Sequence, residues 1–138
     1  MEKNYDILQQ TPVTRSQQAA GLLREDLSSL DHEESWIILL NAAGIPLQKR
    51  MLTAGTLTST IIDIRRIVKL ALLSNATSVI LAHNHPSGNP QPSTADISET
   101  EKLRQACSIF DISLIDHIII CDRDYFSFAD EAKHNFSL

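Results

Sequence analysis

One segment constrains the fold more than any other. Ser78-Val79-Ile80-Leu81-Ala82 is a short, nearly continuous apolar run that leads straight into His83-Asn84-His85. Pro86, Gly88, Pro90 and Pro92 then force a loop, and Ser93 with Asp96 has the spacing of a helix capping box. An apolar run of this length, bounded by polar residues and then by Pro and Gly, reads as a strand buried on both faces. Strand end, loop and helix start form the corner where ligands collect in open α/β sheets. Side chains alternate across a strand, so His83 and His85 point the same way if the strand reaches them. The loop can fold the first turn of the following helix back over the strand end.

The residue types at that corner suit a metal. His and Asp both ligate Zn²⁺, and a catalytic zinc takes three protein ligands and keeps a fourth position open. His83, His85 and Asp96 supply three, with ten residues between His85 and Asp96. A plainer reading stands beside this one. Asp96 could be only a capping carboxylate, Ser93 only an N-cap, and the two histidines polar residues satisfied at a strand end. With all four residues and the Pro/Gly loop in register, the metal reading is the stronger, and it points to a hydrolase.

The rest of the chain reads as alternating elements. Residues 1–10 read as a mobile tail, with one domain over residues 11–138. Thr14 with Gln17 gives a capping-box start to a helix whose apolar stripe is Ala19, Ala20, Leu22, Leu23 and Leu27. Ser35 to Asn41 is a buried strand, Asn41-Ala42-Ala43-Gly44 a turn, and Leu47 to Thr53 the returning strand of a hairpin. Gly55 to Ile62 reads as loop. Ile64, Ile67, Val68, Ala71 and Leu72 recur at helical spacing, which predicts a second helix from Asp63 to about Asn75. After the His-bearing strand, a third helix runs from Ser93 to near Asp111. Ser113 to Cys121 and Tyr125 to Phe128 are the last strands. The fold class is α/β: a single layered domain with a mixed β-sheet flanked by helices.

Composition excludes several classes. A chain of 138 residues is in the single-domain range. The two cysteines, Cys107 and Cys121, have no Cys-x-x-Cys partner and read as reduced, packed thiols, in keeping with a cytoplasmic protein. No run is long enough to span a membrane, and the polar, acidic start is unlike a signal peptide. The net charge of −5 argues against strong nucleic-acid binding. Arg65, Arg66 and Lys69 form the nearest basic cluster, and a solvated helix face explains it first.

The pattern His-x-His-Pro-Ser-Gly-x-x-x-Pro-Ser-x-x-Asp resembles the motif of the JAB/JAMM (MPN⁺) metalloprotease superfamily, and in detail its RadC branch. The resemblance extends over Glu33-Glu34-Ser35-Trp36, Gly55-Thr56-Leu57, Asp63-Ile64-Arg65, Asp116-His117-Ile118-Ile119-Ile120 and Tyr125-Phe126-Ser127-Phe128-Ala129-Asp130. It covers the chain from about Thr11 to Asp130. Two departures stand out. RadC proteins often carry an N-terminal helix-hairpin-helix segment, for which this chain has no room. Ile64 also stands where the family usually has Pro.

The resemblance implies a JAB/MPN-like fold and a zinc site built from His83, His85 and Asp96. It implies a glutamate base at the start of the first sheet strand, which by position is Glu33. Glu34 is the rival, and strand alternation puts the two on opposite faces, so they cannot both serve. It also implies that Ser93 helps stabilise the oxyanion of a tetrahedral intermediate. Asp116 and His117 interrupt a buried strand, so each needs a partner. One could orient a metal ligand from behind, or the two could form a plain buried hydrogen-bond pair. His32 and His134 read as surface residues.

Three functions compete on these grounds. The first is zinc-dependent hydrolysis of an amide in a peptide or protein. The second is a non-catalytic interaction module, although MPN domains of that kind usually lack the ligand set retained here. The third is a DNA-repair role, a label the RadC family carries, without support from the residues for direct DNA contact. His83-Asn84-His85 is no HNH nuclease motif, whose histidines lie far apart. A zinc deaminase would need His-x-Glu and Pro-Cys-x-x-Cys, and neither occurs.

Overall fold

A computed structural model describes residues 4–7, 10–54 and 62–136. The strands are β1 (Asn4–Asp6), β2 (Glu34–Leu40), β3 (Pro46–Ala54), β4 (Ser78–Asn84), β5 (Ser113–Ile120), β6 (Asp124–Ser127) and β7 (Ala132–Asn135). The helices are α1 (Ser16–Leu27), α2 (Ile64–Leu73) and α3 (Thr94–Ile109). The strands make one sheet in the order β1-β3-β2-β4-β5-β6-β7. Among the described residues only β4 and β5 run parallel; β2 pairs antiparallel with both β3 and β4. The sheet is therefore mixed and the fold α/β, as the pattern of alternating elements predicts.

The sheet is buried on both faces. On one side α1 lays Ala19, Ala20, Leu23 and Leu27 over Trp36, Ile38, Leu40, Ile80, Ala82, Ile118 and Ile120. On the other, α2 and α3 bring Ile67, Val68, Ala71, Leu103 and Cys107 onto Ile37, Leu39, Val79 and Leu81. The assignments alternate residue by residue along β2 and β4, as period-two geometry requires. Each fully buried Leu or Ile contributes roughly 1.5–3 kcal/mol relative to exposure. The two layers are thus the main source of stability, and they fix the strand ends where polar residues gather.

Local signals account for the element ends. Asn41 Oδ1 accepts from the amides of Ala43 and Ile45, and Gly44 takes φ +78° to close the β2–β3 hairpin. Asn75 and Asp111 end α2 and α3 in the left-handed region, at φ 56° each. Asp63 caps α2 by accepting from the Arg66 amide.

Three expectations need correcting. The acceptor at the start of α1 is Gln18, not Gln17: its Oε1 takes the amides of Thr14 and Arg15 at 2.7 and 3.1 Å. A capping side chain must reach back three residues, and α1 begins one residue later than the Thr14–Gln17 spacing supposes. Within the segment read as a tail, Asn4–Asp6 pairs antiparallel with Arg50, Lys49 and Gln48 of β3. The outer edge of β3 otherwise presents open backbone groups, and Ile7 packs against the α1-side core. Ala132–Asn135 adds β7 to the outer edge of β6, where Phe136 packs on Tyr125 and Arg24 lies 4.2 Å over the Phe136 ring. Gly55 to Ile61, read as loop, lie outside the described residues.

Candidate metal centre

β4 carries His83, and His85 follows one residue past its end, with the His85 amide still bonded to the Ile120 carbonyl of β5 at 3.1 Å. The two imidazoles therefore leave the sheet on the same side, towards α3. Gly88 at φ +86° and the prolines turn the chain, and α3 begins directly above the strand end. Ser93 is its N-cap. Its Oγ accepts from the Asp96 amide at 3.0 Å, and Asp96 Oδ2 accepts from the Ser93 amide at 2.8 Å. This reciprocal pair and the helix dipole hold a carboxylate in the first turn.

The three groups converge. His83 Nε2 and His85 Nε2 lie 3.0 Å apart. His83 Nε2 is 3.4 Å from Asp96 Oδ1, and His85 Nε2 is 3.4 Å from Asp96 Oδ2. Zinc bonds of about 2.0–2.1 Å to a tetrahedron of ligands imply edges of roughly 3.3 Å. The two imidazole contacts fall on different oxygens of Asp96, and with one ligand atom taken from each residue the three lie within 4.8 Å of one another, close enough for this donor set to close on a small divalent cation. It is the one group of three such side chains among the described residues whose ligand atoms all lie within 4.8 Å. Asp96 thus closes the capping box and faces the imidazoles at once.

Electrostatics favour a cation here. Burial works against ionising Asp96, but the imidazoles of His83 and His85 beside it outweigh it and hold the carboxyl far below its usual range. Burial also disfavours a charged His85, yet Asp96, the Asn89 carbonyl and the nearby Glu33 raise its pKa. His85 Nδ1 donates to the Asn89 carbonyl at 2.8 Å, which leaves Nε2 as the ring's ligating atom.

The glutamates separate as strand alternation requires. Glu34 is 2% exposed and turns to the α1 face. There it accepts from Trp36 Nε1 at 3.0 Å and meets His32 Nε2 at 2.8 Å. Glu33 instead lines a cavity of about 200 Å³ together with Ser35, Ile62, Leu81, His83, His85, Ser93 and Asp96. Register explains its position. Ser35 pairs with His83, so Glu33 lies about opposite His85 two residues further on. Asn84, buried between the histidines, fastens this juncture: its Oδ1 takes the Glu34 amide and its Nδ2 donates to the His32 carbonyl, both at 2.8 Å.

Asp116 and His117 also split between the faces. His117 sits behind the site, its Nε2 at 2.7 Å from His83 Nδ1. Burial drives its pKa well down, and it stacks on Phe128 at 4.6 Å. Asp116 faces away from the metal site. It accepts from the amides of His117 and Ala129 and from the Ser127 hydroxyl, at 2.7, 3.0 and 2.7 Å. Burial raises its pKa against those three donors. Thr100, which the sequence reading passes over, reaches both His117 Nδ1 and the Asp96 carbonyl at 2.6 Å. Its signal is the spacing: it lies four residues after Asp96, on the same helix face.

A model of the RadC-like JAB domain matches residues 13–134. The chain belongs to the RadC-like JAB family. Among curated relatives, a UPF0758 protein of Flavobacterium johnsoniae is 40% identical over 130 residues, covering 94% of this chain and 57% of that protein. One from Clostridium acetobutylicum is 36% identical over 94% of this chain and 56% of its own length. The Escherichia coli protein YfjY is 41% identical over 85% of this chain and 73% of its own. The RadC-like domain thus spans little more than half the length of the first two.

Cys107 and Cys121 are free and buried, and burial pushes the Cys121 thiol up to about 11. A larger groove of about 820 Å³ lies between α2 and α3, lined by Arg65, Lys69, Leu72, Leu73 and Phe110, and shares no residue with the metal site. Among the described residues no helix is long and apolar enough to cross a membrane.

Proposed function

We propose that this chain is a zinc-dependent amide hydrolase, a metallopeptidase or isopeptidase acting on a peptide or protein. The observation that carries the reading is the convergence of His83, His85 and Asp96 in one cavity with Glu33 and Ser93. His83, His85 and Asp96 would hold the ion and leave one position open. A bound ion would supply Lewis acidity, polarising a carbonyl and making a water easier to deprotonate.

The chain's own groups do the rest. Glu33, on the cavity wall and not among the three ligands, takes a proton from the attacking water and hands it to the departing amine. Ser93 Oγ already accepts from the Asp96 amide, so its own O–H can donate to the oxyanion that forms. A donor of that kind is worth roughly 3 kcal/mol of barrier. Ile62 and Leu81 add apolar wall beside these groups, which strengthens electrostatic effects by excluding water.

The test is a panel of peptide and isopeptide substrates offered to zinc-loaded protein, with Asp96→Ala as control. Turnover that a chelator abolishes, that zinc restores and that the control lacks is the expected result. A zinc-replete protein silent across the panel would refute hydrolysis and favour an interaction module. Activity surviving in the control would place the chemistry elsewhere.

A further inference from the structure

We propose that Thr100 and His117 set the tautomer of His83, directing the lone pair of His83 Nε2 into the site. The inference concerns the same site as the proposed hydrolase, yet it rests on hydrogen-bond geometry that can be read without a metal.

Four groups form a closed chain. The Thr100 hydroxyl lies 2.6 Å from the Asp96 carbonyl, which can only accept, so its single proton goes there. His117 Nδ1 lies 2.6 Å from the same Thr100 oxygen. With the hydroxyl proton committed, Nδ1 must be the donor. The His117 side chain is fully buried and its polar partners are a hydroxyl and an imidazole, so a neutral ring is favoured and Nε2 is bare. His83 Nδ1, 2.7 Å from that nitrogen, then carries the proton of the contact. The second nitrogen of His83 is left as a lone pair, 3.0 Å from His85 Nε2 and 3.4 Å from Asp96 Oδ1.

The chain also joins three elements. It runs from β4 through β5 to α3 and ends on the backbone of Asp96, itself a member of the site. Thr100 and His117 are positioning residues: they act through His83 and do not face the cavity's open side. A single hydroxyl on the far side of His117 therefore decides which nitrogen of His83 is available. Valine at position 100 has the same shape without the oxygen. His117 Nδ1 then has no acceptor, and the favourable response is a ring with Nε2–H donating to His83 Nδ1. That moves the His83 proton to Nε2, where it blocks ligation.

The experiment is long-range ¹H–¹⁵N NMR of the histidine side chains in metal-free wild type, Thr100→Val and Thr100→Ser, with zinc titration of each. Wild type and Thr100→Ser should show His83 protonated at Nδ1. Thr100→Val should show it at Nε2, with zinc affinity lower by about 10-fold or more, as losses behind a metal ligand typically are. Nε2–H on His83 in wild type overturns the proposal without reference to any variant, should Thr100→Val fail to fold. Retention of Nδ1–H and of zinc affinity within about twofold in a folded Thr100→Val overturns it too. A wild type that binds no zinc but shows Nδ1–H on His83 bears the chain out and sinks the metal reading instead.

Discussion

Two polar clusters on opposite faces of the sheet are built in opposite ways. On the α1 face, Glu34, Asn84 and Asp116 are buried, and each meets donors and acceptors that complement it. On the α2/α3 face, His83, His85 and Asp96 turn nitrogen and carboxylate atoms towards one another, an arrangement that a cation would complete. Burial alone does not distinguish a structural polar residue from a site residue. The balance of donors and acceptors does. Two pairs of sequence neighbours, Glu33 with Glu34 and Asp116 with His117, are divided between the faces by strand alternation.

The largest expected contrast comes from Asp96→Ala. Zinc and hydrolysis should disappear together, while loss of its capping carboxylate costs only about 1 kcal/mol of stability. Metal content, turnover and thermal unfolding of one preparation check this, and retained zinc would remove Asp96 from the ligand set. Next is Glu33→Gln, which should abolish turnover and leave zinc stoichiometry intact, because it removes a proton acceptor and not a ligand. Its counterpart Glu34→Ala should keep the zinc and lose about 2 kcal/mol of stability through the buried contacts with Trp36 and His32. If the two variants exchanged phenotypes, the division of the faces would be wrong.

A smaller effect on rate is expected at Ser93. Ser93→Ala should lower kcat about 10²-fold through loss of the oxyanion donor and cost about 1 kcal/mol through loss of the cap. A drop in stability with unchanged kcat would leave Ser93 with the cap alone. Asp116→Ala should act on stability only. It strips acceptors from two amides and a hydroxyl, about 3 kcal/mol in denaturant unfolding, with zinc affinity unchanged. The smallest effect expected is with duplex DNA. A net charge of −5 predicts weak, non-specific association by fluorescence anisotropy, and a salt-dependent sub-micromolar affinity would revive the repair reading.

What the sequence made legible follows from period. The apolar run before His83 announced a buried strand, the Pro/Gly loop and Ser93 announced a helix start, and those features alone bring His83, His85 and Asp96 to one corner. The α/β class followed from alternating strand and helix patterns. Glu33 and Glu34 were separable in principle by alternation, but only the family resemblance favoured one of them. Other features had no local signature. Ala132–Asn135 alternates weakly and carries no apolar run, so β7 became visible only when the edge of β6 was available to pair with it. The link between His83 and His117 spans 34 positions and depends on how β4 registers with β5. Thr100 lies inside a regular helix, where a threonine draws no notice until the ring behind it is known.

The central claim is that the α2/α3 face holds a zinc ion on His83, His85 and Asp96. The most direct measurement is elemental analysis of purified protein after zinc loading and removal of free metal, wild type beside Asp96→Ala. The account predicts one zinc per chain in the wild type and none in the variant. No zinc in a folded wild type, or equal zinc in both proteins, would contradict it.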